Sequence, residues 1–144
     1  MFNPTRDQAR DFLFDSWRKY RHGQPLTALE SVAAELIAAH PEYHAVLDNR
    51  DKHVDRDYRP EAGDTNPFLH LSMHLSIREQ VSIDQPQGVR AAHTRLTEKL
   101  GNPLEAEHIM MDCLAEMIWH AQRHRLSPDP ALYLGCLAKK INTN

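Results

Sequence analysis

The chain is predicted to be all-α: a compact, bundle-like or orthogonal packing of about six helices, with helices three and five central. Three observations predict it. Apolar residues recur at helical spacing along most of the sequence, and no strand-like alternation competes. Two starts carry the spacing of a capping box, Thr5 with Gln8 and Thr27 with Glu30. Most of the nine prolines fall where helices begin, after Asn66 and Asn102 above all.

Helix one is expected from Thr5 to His22, with Gly23 as its stop. Helix two starts at Thr27 and gathers Leu29, Val32, Ala33, Leu36 and Ile37 on one face. Pro41 interrupts it, so His40 marks a break and a shorter helix runs from Pro41 to about Leu47. The segment from Asn49 to Thr65 is polar, charged and aperiodic, and reads as a long loop. Asn66-Pro67 opens helix three, which runs to about Asp84; Gln85-Pro86-Gln87-Gly88 turns the chain into a helix ending at Leu100-Gly101. Asn102-Pro103 starts the long helix five, to about Arg125, and Ser127-Pro128 opens a last helix to about Lys140. Helices three and five are apolar around most of their circumference, the mark of helices buried between others.

A length of 144 residues suits a single helical domain spanning 1–144, long enough to bury a core without staples. Seventeen Lys and Arg against twenty Asp and Glu leave a formal charge of −3, which argues against a nucleic-acid partner. No apolar run reaches membrane-spanning length and the first residues carry no signal-peptide core, so no membrane is expected and the cytoplasm is the default location. Cys113 and Cys136 have no C-x-x-C partner and read as small buried hydrophobes in a reducing compartment.

Histidine is the residue that points to chemistry. Ten occur, and His40/His44, His70/His74 and His120/His124 each have H-x3-H spacing, where chance would give roughly 0.7 pairs. Residues four apart share a helix face, so each pair can aim two imidazoles at one point. His70 and His74 lie on one strip with Ile77 and Val81, and His40 continues the apolar face of helix two. Helix five adds His108, Asp112 and Glu116 at successive turns, and Glu107 on an apolar strip, where a carboxylate needs a partner. His120 and His124, beside Arg123 and Arg125 at a helix end, read as dipole contacts instead.

The candidate metal ligands are therefore His70, His74, His40 and His44, with Glu107, His108 and Asp112 in support. Mixed imidazole and carboxylate ligation suits a divalent transition metal, zinc or iron. Each of these residues also has a structural reading: a core histidine satisfied by a carbonyl, an acid on a solvated face or in a first turn. With five glycines, no phosphate-cradling loop, no G-x-S-x-G and no H-E-x-x-H, neither a nucleotide cofactor nor a particular reaction is indicated.

The segments FNPTRDQARDFLFDSWRKYRHGQPLTALE, HPEYH, NPFLHLSMHLSIREQVSIDQPQGV and AEHIMMDCLAEMIWHAQR together resemble a bacterial family known as domain of unknown function 1841. The resemblance covers essentially the whole chain. It implies a small soluble bacterial protein of one domain, and it implies no activity. A looser similarity to hemerythrin-like di-iron bundles, in His70-x3-His74 and His108-x3-Asp112, is one of architecture only.

Two readings of function follow. One is a helical metal-binding protein. The other is a non-enzymatic interaction module with structural histidines, its surface formed by the 49–65 loop or by Phe2, Phe12, Phe14, Trp17 and Tyr20 of helix one. A homodimer or another protein partner belongs with the second.

Overall fold

A computed structural model describes residues 5–59 and 65–143. Phe2 and residues 60–64 of the expected loop lie outside the described residues. Eight α-helices are present and no strand among the described residues: α1 (Arg6–Arg21), α2 (Ala28–Ala38), α3 (His44–Leu47), α4 (Arg50–His53), α5 (Pro67–Ile83), α6 (Val89–Leu100), α7 (Pro103–His124) and α8 (Pro130–Asn142), with a 3-10 turn at Pro41–Tyr43.

The excess over six comes from two helices of four residues, α3 within the short helix expected after Pro41 and α4 in the expected loop. The stretch from Pro41 to Leu47 divides into the 3-10 turn and α3. The expected loop holds α4, started by the Asn49 side chain accepting from the Lys52 amide. The last helix begins one proline later than expected, with Asp129 as its cap and Pro130 in the first turn. Both capping boxes form as the spacing predicts.

The chain divides between Leu75 and Ser76, inside α5, into two compact units. In the first, Leu13, Phe14 and Trp17 of α1 are buried, as are Ala33, Leu36 and Ile37 of α2 and Phe68 and Leu71 of α5. Phe14 meets Phe68 with ring centres 5.3 Å apart. Arg10 is buried with them because its guanidinium donates to the carbonyls of Val54 (3.0 Å) and Arg56 (2.8 Å). The Trp17 indole donates to Asp48 at 2.7 Å. Of the described aromatics proposed as a docking surface, Phe14 and Trp17 are buried, Phe12 is partly buried and Tyr20 is exposed.

In the second unit, Ile77, Val89, Leu96, Met110, Cys113, Tyr133 and Leu137 form the core. The Tyr133 hydroxyl, its pKa raised by burial, donates to Gln80 at 2.7 Å. Asp84 turns the chain into α6 by accepting from the amides of Gly88 and Arg90, both at 3.1 Å. Cys113 and Cys136, expected as separate thiols, are joined as a disulfide between α7 and α8, with Cα atoms 5.6 Å apart. Local pattern shows which face of a helix a cysteine occupies but not which helix it meets. The bond also withdraws the argument for a reducing compartment, since that rested on free thiols.

The two helices expected to be buried all round are not. Leu69 and Ile83 of α5 and Ile118 and Trp119 of α7 are exposed. Among the described residues no helix is long and apolar enough to cross a membrane.

Candidate metal centre

The site in the first unit begins with a helix that cannot continue. Pro41 has no amide hydrogen and biases the residue before it away from helical angles, so α2 ends and His40 takes φ −122° and ψ 72°. Its ring stays buried: Nδ1 donates to the Leu36 carbonyl at 2.6 Å. That bond places the proton on Nδ1 and leaves the Nε2 lone pair as the donor to a cation or a proton.

His70 and His74 come from the first two turns of α5. Asn66 fixes that start by accepting from the amides of Phe68 (3.0 Å) and Leu69 (3.1 Å), and Pro67 sits in the first helical position. One helical turn then stacks the two imidazoles on the same face. His74 is fully buried, whereas His70 is half-buried and gives the site an approach from solvent.

The three rings form a nearly equilateral triangle. Ring centres are 5.0 Å apart for His40 and His70, 4.9 Å for His40 and His74, and 4.9 Å for His70 and His74. The ring planes cross at 75°, 61° and 73°, so no two of the three rings stack face to face. Nε2 of His70 lies 3.2 Å from Nε2 of His40, and ligand atoms of the three rings all lie within 4.8 Å of one another. Imidazoles bound to one zinc at ~2.0–2.1 Å with tetrahedral angles have nitrogens about 3.3 Å apart. The His40–His70 edge has the length that two imidazoles on one transition metal need, and the His74 ring stands close enough to join them.

Tyr43 walls the same site. Its ring stacks on His40, with centres 5.4 Å apart and planes 5° from parallel, and stands 5.7 Å from His70. Burial, and then the Glu42 charge, push its hydroxyl pKa upward, so it stays a neutral phenol. The sequence reading passed over Tyr43. The H-P-E-Y-H stretch was the available signal, but an aromatic there reads first as packing.

The other candidates have surroundings of their own. His44 donates from Nε2 to the Ile37 carbonyl at 2.8 Å and packs on Trp17 with ring centres 4.7 Å apart. The proline break that turns His40 inward sends His44 toward α1. Glu107, on α7 of the second unit, is buried and accepts from the Arg78 guanidinium at 2.9 Å, which is the partner its apolar strip required. His108, also on α7, has Nδ1 3.4 Å from the Glu105 carboxylate. Asp112 is exposed on the same helix.

Over residues 5–139 the chain matches the model of one protein family, described as Domain of unknown function (DUF1841). No curated protein and no solved structure matches it.

Proposed function

The chain belongs to that family, and from this premise we propose, on the geometry of the site alone, that it is a metal-binding helical protein in which His40, His70 and His74 hold a divalent transition metal, zinc or iron. The observation that carries the reading is the 3.2 Å approach of two imidazole Nε2 atoms, one of them already fixed by its other nitrogen on the Leu36 carbonyl. Without a cation, one of those nitrogens must carry a proton and donate to the other. With one, both lone pairs converge on the charge. The third ring and the half-buried approach at His70 favour the cation.

Three imidazoles with a remaining position for water form the donor set of metal-assisted hydrolysis, while a closed set would be structural. The proposal extends to the metal and its histidines, and the substrate class is left to activity screens on the loaded protein.

The test is elemental analysis of untagged protein, with melting measured with and without chelator. About one metal per chain and a lower melting temperature on chelation are expected, because a ligand at a hundred times its Kd stabilises the folded state by roughly 2.7 kcal/mol. His70→Ala with His74→Ala should lose the metal, and His120→Ala with His124→Ala should keep it. Metal-free protein whose melting is unmoved by zinc, iron or manganese would overturn the proposal. Metal that survives the His70 and His74 changes would overturn the ligand assignment.

A further inference from the structure

The second unit contains a cavity of about 890 Å³ between α6, α7 and α8, built from its own residues. Leu96, Leu100, Met117 and Leu132 line it, and Trp119 lies along it with 57% of its surface exposed. Its volume falls in the range of about 300–1,000 Å³ typical of small-molecule sites.

Gly135 also lines this cavity, in the interior of α8. Glycine inside a helix is destabilising relative to alanine, and it is kept where φ is positive or a neighbour comes too close for a Cβ. Neither applies here: Gly135 is absent from the positive-φ glycines, and a Cβ built on it meets nothing within 4 Å. The fold does not need this glycine; what it does is keep the wall of the cavity clear.

Charge gives the polarity of an occupant. Lys139 and Lys140, in the last turn of α8, line the cavity, and neither side chain has an ion pair among the described residues. Helix carbonyls at a C-terminus ordinarily repel an anion. Here Lys99 already covers them, donating to the carbonyls of Lys140 (2.8 Å), Ile141 (3.2 Å) and Thr143. Glu116 is the acid of the lining and His120 its imidazole, so three lysines face one carboxylate.

We propose that this cavity binds a small amphipathic carboxylate, its acyl chain lying over Gly135 and against Trp119 and its head at Lys139 and Lys140. The test titrates the full chain with dodecanoate and, as the charge-reversed probe, dodecyltrimethylammonium, both below micelle formation. Calorimetry gives the affinity, and the fluorescence of Trp119, identified with Trp119→Phe, gives the location.

Saturable micromolar binding of dodecanoate with a blue shift of Trp119 is expected, with the cationic probe weaker by about tenfold or more. Gly135→Ala should raise the melting temperature, whereas Gly135→Leu should obstruct the wall under the acyl chain and weaken dodecanoate by about tenfold or more. Lys139→Glu with Lys140→Glu, both on the surface, should reverse the preference between the probes, and this arm stands even if Gly135→Leu does not fold. Absence of saturable dodecanoate binding, equal binding of both probes, or full binding by a folded Gly135→Leu variant would each overturn the proposal. So would a dimer in solution that hides Trp119 and excludes dodecanoate, since a second copy would then be the occupant.

Discussion

His53 shows at the scale of one residue how a buried imidazole can stabilise without a metal. It is buried at the end of α4, with Nδ1 3.4 Å from the Tyr58 hydroxyl. Burial, followed by the charges of Lys52 and Arg56, lowers its pKa below the ordinary 6.5. The unfolded chain therefore takes up this proton first as pH falls. The stability His53 contributes is complete above pH 6.5 and is lost as pH drops through the folded value. Chelator-treated protein should lose stability between pH 7 and 5 more steeply than His53→Gln does, as denaturant titrations at each pH would show. Equal slopes would mean that His53 titrates alike in both states. The metal candidates divide on the same local grounds. His70 and His74 were legible because two imidazoles on an apolar strip of a helix have few other partners to find. His40 and His44 have the same spacing, yet one carbonyl, that of Ile37, takes His44 away from the group. A pattern tells which face a side chain occupies and is silent on which neighbour waits there.

Elements were legible in proportion to their length. Helices of eleven residues or more repeat their apolar spacing often enough to be read, and all six of that length were expected. α3 and α4, of four residues each, complete barely one turn: α3 falls within the short helix expected after Pro41, and α4 offers only its Asn49 cap. Start signals were the most informative local feature, and α2 shows why. Ala33, Leu36 and Ile37 of its predicted face are buried, but in the first turn Leu29 is exposed while Glu30 is buried. Glu30 tolerates this because it donates nothing and accepts twice, from the Thr27 amide at 2.9 Å and from Lys19 at 2.7 Å. Removing the cap by Thr27→Ala should cost about 1 kcal/mol. Glu30→Ala should cost more, because it breaks the reciprocal cap bond and the Lys19 ion pair together. Urea titrations of the chelator-treated variants would rank them, and a Thr27→Ala protein as stable as the parent would show that the box contributes nothing.

At the scale of the whole molecule, the two units carry different devices. The first holds the three-histidine triangle and the second holds the disulfide. Closing the 23-residue separation between Cys113 and Cys136 restricts the unfolded chain, a stabilisation of about 3 kcal/mol on loop entropy. Reduction should therefore strip hydrogen-exchange protection from α7 and α8, and metal addition should deepen it in α2 and the first turns of α5. Unchanged protection in α7 and α8 after verified reduction would show that packing alone holds that unit. The disulfide was not legible in the sequence, because both cysteines sit at ordinary helix-face positions and their pairing is a fact of tertiary structure. The bond has one more effect, on the integrity of the chain rather than its stability. Residues 113–136 form a closed covalent ring that includes the turn at Arg125 and the exposed Leu126. A single peptide bond severed inside that ring opens a loop but releases no fragment, so the unit keeps all of its atoms through an injury that would divide an unbridged chain in two.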